Sequence, residues 1–119
     1  MSQANVVINV RRISVLTSII DVRGDLSASA EHVLMDAYTQ ASTPTTHVIL
    51  LNFTELAYMN SSGIGLLVTL LVRVKRQKQH MRAFGLNVHY QHIFELTRLN
   101  DVILLYDTEQ DALAAAQAC

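Results

Sequence analysis

The sequence predicts an α/β fold, a sandwich in which a mixed, mostly parallel sheet of about five strands carries its helices mainly on one face. Segments rich in Val and Ile alternate along the chain with segments whose apolar residues recur every three or four positions. In addition, half of the 119 residues are hydrophobic and 16% are charged, so the chain can bury one core but hardly two. We therefore expect a single domain over residues 1–119.

The first half of the chain predicts three strands and one helix. Strands over Val6–Val10 and Ile13–Val22 are too close for a crossover helix and should pair antiparallel. Arg23–Asp25 predicts a turn, and the apolar spacing that follows predicts an amphipathic helix over Ser27–Gln40. His47–Phe53 contains four consecutive aliphatic residues, which is typical of a strand buried on both faces.

The second half begins with a long helix that opens at Asn60 or Ser61 and continues to about Lys78. The elements expected after it are a strand over Met81–Val88, a helix over Tyr90–Leu99, a strand over Val102–Tyr106 and a helix over Asp107–Ala118. Because strands and helices alternate here, this part of the sheet should be parallel and covered by helices.

Composition excludes several classes of function. A net charge of -1, 6% aromatic residues and no Trp argue against nucleic-acid binding. The longest apolar run, Ile64–Val72, is much shorter than the roughly 20 residues that cross a bilayer. Cys119 is the single cysteine, and the histidines lack a metal-ligand spacing. We expect a cytoplasmic domain with no metal or other cofactor, no nucleic-acid partner and no membrane insertion.

Catalysis is not expected either. Ser61, Ser62 and His47 could suggest a nucleophilic hydrolase, but the Gly-x-Ser-x-Gly frame is lacking and no acid is placed to orient a base. A small enzyme or nucleotide binder would also need a Gly-rich phosphate loop, which the sequence does not contain.

The segment Asn60–Gly65 is the best candidate for a functional site. A hydroxyl in the first turn of a helix lies among unpaired backbone N–H groups, so a phosphate on Ser62 would gain about 0.3–1 kcal/mol there. Gly63 and Gly65 would leave the surface bare for another protein to approach. From the local sequence alone, the alternative is that Asn60 and Ser61 only cap the helix and the glycines allow tight packing on the sheet.

Two segments carry a resemblance to a known family. Leu50–Thr54 and Tyr58–Gly65 resemble the signature of the STAS domain, particularly that of the bacterial anti-sigma factor antagonists, which reads roughly Asp-Ser-Ser-Gly-aliphatic-Gly. Gly24–Leu26 is similar to the strand-to-helix turn of the same family, and the predicted order of elements matches from about Val6 to Ala116.

The resemblance implies a phosphorylation switch. In such antagonists, the unphosphorylated domain binds a serine-kinase anti-sigma factor, and the kinase uses ATP to phosphorylate the serine before the glycine. That position is Ser62 here, with Ser61 as second choice. The implied partners are this kinase, or an analogous switch kinase, and a PPM-type phosphatase that resets the switch. The chain departs from the family at Asn60, usually Asp, at Asn52, often Asp, and at Ser27, where an acid is common.

A partner surface is expected around Ser62. Its predicted members are Asp25, Ser27, Asn60, Ser61, Gly63, Ile64, Gly65, Leu66 and Leu70. The spacing of Ile64, Leu67, Val68, Leu71 and Val74 predicts the core side of the long helix. Leu66 and Leu70 fall on a neighbouring side, which either forms an exposed docking patch or is buried as well.

Two further interpretations stay open. The chain could instead be a STAS module that docks, without covalent modification, in a larger signalling or lipid-transport complex. Separately, five of the nine Lys and Arg residues lie within Arg73–Arg82. This cluster is best interpreted as a solvated helix end favoured by the helix dipole, although an acidic partner could dock there.

Overall fold

The computed structural model describes residues 5–117 and contains one sheet of six strands. The strands are β1 (Val6–Arg12), β2 (Thr17–Leu26), β3 (Val48–Asn52), β4 (Leu56–Met59), β5 (His80–Phe84) and β6 (Leu104–Tyr106). The helices are α1 (Glu31–Ala41), α2 (Ser61–Arg76), α3 (Val88–Leu96) and α4 (Glu109–Gln117). Single turns of 3-10 helix lie at Ala28–Ala30 and Leu99–Asp101.

The sheet is mixed and mostly parallel, as the sequence predicts. Its strand order is β1-β2-β3-β5-β6, and only the β1–β2 pair is antiparallel. Strand β4 also pairs with β2, in parallel, beyond the point where β3 ends. The long strand β2 therefore supports β3 at its start, over Thr17–Asp21, and β4 at its end, over Gly24–Leu26.

Residues of the sheet alternate between a larger and a smaller core, one on each face, so the expectation of one core is wrong. Ile20 and Leu51 join the larger core, which α1, α2 and α3 cover. Ile19 and Leu50, their chain neighbours, point the other way into a smaller core that α4 covers with alanine side chains. The expectation that helices pack mainly on one face is confirmed, with three helices on one side and one on the other.

The predicted turn at Arg23–Asp25 is wrong, because β2 continues through it to Leu26. Gly24 has a left-handed φ of +96°, and the pairing register with β4 shifts between Gly24 and Asp25. This is the geometry of a β-bulge, which glycine permits inside a strand. A Cβ at Gly24 would also lie 2.5 Å from the carbonyl oxygen of Asn5.

Other differences are smaller. Strand β4 was not predicted, and the helix expected from Ser27 begins as a 3-10 turn before α1. Residues Ala118 and Cys119 lie outside the described part of the chain.

Within residues 5–117, no helix combines the length and the hydrophobicity that a membrane span requires. In the same residues, no group of three or more His, Cys, Asp and Glu side chains is arranged to hold a metal ion.

Candidate functional site

The serine pair lies at the start of α2, where the chain leaves β4. Asn60 is the N-cap, and its Oδ1 accepts a hydrogen bond of 2.9 Å from the backbone N–H of Gly63. Ser61 and Ser62 are therefore the first two helical residues, and both are exposed. The helix start and its cap agree with the sequence prediction.

Gly63 and Gly65 have different environments. A Cβ at Gly63 would overlap the carbonyl oxygen of Leu26 and lie 2.8 Å from its carbon, so glycine is needed where α2 crosses the end of β2. Gly63 is buried, and the prediction that it offers bare surface to a partner is wrong. Gly65 is exposed, and a Cβ there would meet no atom within 4 Å.

The segment before the serines is held firmly. The backbone N–H of Met59 donates a 2.9 Å hydrogen bond to the buried hydroxyl of Tyr90, from α3. Met59 also pairs with Leu26 in the β2–β4 register. Because β2, β4 and α3 all fix this point, the serine pair sits on a rigid scaffold, which a recognition site requires.

Asp25 and Ser27 lie at the same edge of the sheet as Ser62. Asp25 pairs in register with Tyr58 and accepts a 2.9 Å hydrogen bond from the side-chain amide of Asn5. Ser27 is half-buried, and its hydroxyl lies 3.2 Å from that of Ser29. The 3-10 turn that follows contacts α2.

Two leucines of α2 that were expected on the partner surface are buried. Leu66 and Leu70 are 8% and 0% exposed and belong to the larger core. They pack inside the protein because the buried side of α2 is centred on them and on Leu67 and Val74. Of the open alternatives, burial is therefore correct, and neither leucine can be reached by a partner.

The exposed side of α2 carries residues that were not expected at the partner surface. Val68 and Val72 are 43% and 46% exposed, and Gly65 and Thr69 accompany them at helical spacing. Val68 was expected in the core. This exposed stripe, Gly65–Val68–Thr69–Val72, continues from the serine pair along one side of the helix, while Ile64 is half-buried beside it.

A separate polar cluster lies on the α4 side of the sheet, where residues of β1, β2, β3 and α4 line a cleft of about 490 Å³. The Arg11 guanidinium donates two hydrogen bonds of 2.8 Å to Asp21 and two, of 2.7 and 3.1 Å, to Glu109. These bonds connect the edge strand β1 to α4.

Asn52 occupies one of the positions where the family often has Asp. Its amide nitrogen donates a 2.8 Å hydrogen bond to Asp21, and its Oδ1 accepts from both the backbone N–H and the hydroxyl of Thr54. A carboxylate can only accept hydrogen bonds, so it could not donate to Asp21. The neighbouring carboxylate of Asp21 therefore explains why position 52 holds Asn and not Asp.

We expect Asp21→Asn to lower stability at neutral pH by about 1 kcal/mol. Partial burial alone would raise the pKa of the Asp21 carboxyl, but hydrogen bonds from Arg11 and Asn52 and nearby positive charge outweigh it and hold the pKa below its ordinary value. Such a group stabilises the fold above its unfolded-state pKa of about 3.9, and the contribution is lost as the pH falls through the lower folded-state pKa.

Urea unfolding of the unmodified protein and of the variant, from neutral pH down to pH values below the folded-state pKa of Asp21, measures the free energy of unfolding of each. The stability difference between the unmodified protein and the Asp21→Asn variant should narrow in acid. A difference that stays constant with pH would contradict the stabilising role of the ionised carboxylate.

Comparison with known proteins identifies the family. The strand order and the Ser-Ser-Gly sequence at the start of α2 define a class of small α/β domains in which one mostly parallel sheet carries this motif at a helix start. The family model of the STAS domain matches residues 7–112, and the chain therefore belongs to the STAS domain family.

Individual relatives agree with this assignment. The anti-sigma-B factor antagonist of Listeria monocytogenes is 26% identical over 88 residues, covering 74% of this chain and 77% of that protein. The unphosphorylated form of the anti-sigma factor antagonist SpoIIAA superposes with a TM-score of 0.71 at 19% identity, over 95% of this chain and 100% of that one. A sulfate transporter family protein from Wolinella succinogenes gives a TM-score of 0.78 at 13% identity, over 91% and 90% of the two chains.

Proposed function

We propose that this protein is a phosphorylation-controlled binding protein of a partner-switching pathway, and not an enzyme. Its unphosphorylated form binds a serine-kinase anti-sigma factor, or an analogous switch kinase, and phosphorylation at Ser62 releases that partner. A PPM-type phosphatase restores the binding form. The observation that carries this proposal is the exposure of Ser62 at the start of α2, next to the exposed stripe Gly65–Val68–Thr69–Val72.

Three features of the site support binding. Val68 and Val72 offer apolar surface, and Gly65 allows a partner backbone to approach closely. Asp25 and Tyr58 lie at the same edge of the sheet, and Tyr58 is 50% exposed. Aromatic side chains of this kind are enriched at protein interfaces.

The negative charge of a phosphate on Ser62 would cause release of the partner. The kinase transfers the γ-phosphoryl group of ATP to the Ser62 oxygen, which loses its proton, and ADP leaves. The phosphoserine carries about two negative charges beside an apolar contact surface. Burying these charges under a partner costs desolvation, so we expect binding to weaken by at least about 30-fold, or ~2 kcal/mol.

The relative named above supports the choice of partner. The Listeria protein is named an anti-sigma-B factor antagonist, and the exposed Ser62 of this chain would serve an interaction of that kind here. SpoIIAA has been solved in phosphorylated and unphosphorylated forms, so phosphorylation occurs on this fold in that protein.

The test combines modification with binding. The full chain is incubated with ATP and a serine-kinase anti-sigma factor from the same genome, and the modified residue is found by mass spectrometry. We expect phosphate on Ser62, no modification of Ser62→Ala, and normal modification of the matched control Ser61→Ala. Phosphate found elsewhere would contradict Ser62 as the acceptor.

Binding of the kinase to each variant completes the test. Ser62→Ala should keep the partner, while Ser62→Asp, with one negative charge, should weaken the complex. If both variants bind alike, the protein is instead a STAS module that docks without modification in a larger complex. The amide of Asn60, in place of the carboxylate usual in the family, is the observation that favours this second candidate.

A further inference from the structure

The end of the molecule opposite Ser62 is formed by three loops. The β1–β2 loop, the α1–β3 loop and the α2–β5 loop meet there because β2, β3 and β5 all begin at that edge of the sheet. Backbone hydrogen bonds of 2.8 Å connect them directly, from His47 to Leu16 and from His80 to His47. We call these three loops and the last turn of α2 the basal end.

Positive charge without a local counter-charge is concentrated at the basal end. Within residues 5–117, five cations that form no ion pair with a carboxylate lie in or beside its loops. They are Arg12, Arg73, Lys75, Arg76 and Lys78. Toward the opposite edge, by contrast, Arg23 is paired with Glu55. Positive charge is therefore concentrated at the basal end, although the chain as a whole carries a net charge of -1.

Two cations on this side of the molecule occupy unfavourable backbone conformations. Lys78 and Arg98 have φ values of +58° and +63°, and they are the non-glycine residues with positive φ in the described part of the chain. Lys78 ends α2 in a Schellman motif, where Gln79 donates to the carbonyl of Val74. Glycine fits this position with less strain, but a lysine here adds positive charge at the C-terminal end of α2, where the helix dipole favours it.

Aliphatic side chains project from the same end. Ile13, Val15 and Leu16, in the β1–β2 loop, are 42%, 67% and 46% exposed. The loop is braced, since Ile13 N–H donates to the Thr17 carbonyl at 3.0 Å and the hydroxyl of Thr45 donates to the Val15 carbonyl at 2.5 Å. The exposed aliphatic groups are thus held outward by the structure.

We propose that the basal end docks on the surface of an anionic lipid bilayer. Lys and Arg side chains contact headgroup phosphates, and the β1–β2 loop places Val15 and its neighbours among the headgroups. Lysines and arginines close to an anionic membrane each add to binding, and aliphatic groups add the burial of apolar surface. The contact is peripheral, with no span, so it is consistent with the expectation that the protein does not insert into membranes.

A lipid surface fits this end better than an acidic protein does. The cations are spread over a strand end, a helix end and a loop, and they do not converge on one cleft. Mobile anionic headgroups can meet cations at any spacing, whereas a folded partner would need carboxylates at matching positions. Because Ser62 lies at the opposite end, the kinase partner and the membrane could be engaged together.

The experiment uses the full chain and sedimented vesicles. One set consists of phosphatidylcholine, and the other contains phosphatidylglycerol as a third of its lipid. We expect the protein to bind the second set and not the first, and binding should fall steeply as salt is added. Absence of binding to the anionic vesicles, or equal binding to both sets, would overturn the proposal and leave an acidic protein as the ligand of this end.

Matched variants locate the contact. Lys78→Gly removes one charge and relieves backbone strain, so it should fold at least as well and bind about fivefold more weakly. Val15→Ser should weaken binding by a similar factor. Arg23→Gln and Val7→Thr change an exposed cation and an exposed valine at the opposite end, and binding should stay unchanged.

The controls keep this proposal separate from the proposed function. Thermal unfolding of each variant shows whether it is folded, and Ser62→Ala should bind vesicles like the unmodified protein. If Lys78→Gly and Val15→Ser bind as the unmodified protein does, the basal end is not the lipid contact. That result would leave the phosphorylation switch at Ser62 untouched.

Discussion

Gly63→Ala is expected to destabilise the protein by about 3 kcal/mol, at the upper end of the cost of overpacking. The added methyl group would overlap the carbonyl of Leu26 and lie 3.0 Å from the Cγ of Met59. The carbonyl belongs to the backbone of β2 and cannot rotate away as a side chain could. The start of α2 would therefore have to move off the sheet, and the pairing of β4 with β2 would be disturbed.

Gly65→Ala is the matched control for this prediction. It lies two residues further along the same helix, where a Cβ meets no atom within 4 Å. Because alanine favours the helix over glycine, we expect a gain of about 0.5–1 kcal/mol. Urea unfolding of the two variants measures both effects. Similar stabilities for the two variants would show that Gly63 is not packed against Leu26.

Leu70→Ala is expected to cost about 2–5 kcal/mol, because it deletes a fully buried side chain in the larger core. Val72→Ala, two residues along α2, should change stability by less than about 0.5 kcal/mol, since Val72 is 46% exposed. Urea or thermal unfolding distinguishes the two. A small loss for Leu70→Ala would mean that this part of α2 faces solvent after all.

For binding to the partner kinase, we expect Val72→Ala to have the larger effect and Leu70→Ala the smaller one, the reverse of their effects on stability. If the exposed stripe contacts the partner kinase, Val72→Ala weakens the complex while the protein stays folded. A Leu70→Ala protein that is still folded at low temperature should bind almost normally. Titration of the kinase with both variants, below the melting temperature of Leu70→Ala, tests this expectation.

Much of the fold could be predicted from local patterns. The aliphatic run in β3 and the three- and four-residue spacing in α1 identify those elements, because a strand or helix buries its apolar groups with its own period. Asn60 was recognisable as a cap because its amide can satisfy an unpaired N–H of the first turn. Both kinds of signal depend on residues close together in sequence.

The buried side of α2 could not be predicted in this way. From Ile64 to Val72, aliphatic residues occur on nearly every side of the helix, so the spacing does not select between the side with Leu66 and Leu70 and the side with Val68 and Val72. Which side of α2 is buried depends on the rotation of the helix against the sheet. The close approach of Gly63 to Leu26 sets this rotation. This contact joins residues far apart in the chain.

The sequence by itself determined the order of the main elements, the motif at the start of α2 and the family resemblance, since each is written in neighbouring residues. Tertiary structure decided that Gly24 is a bulge within β2, that β4 extends the sheet, and which side of α2 is exposed next to Ser62. The physical reason is that close packing and strand pairing between distant segments set these features, and no local periodicity encodes them.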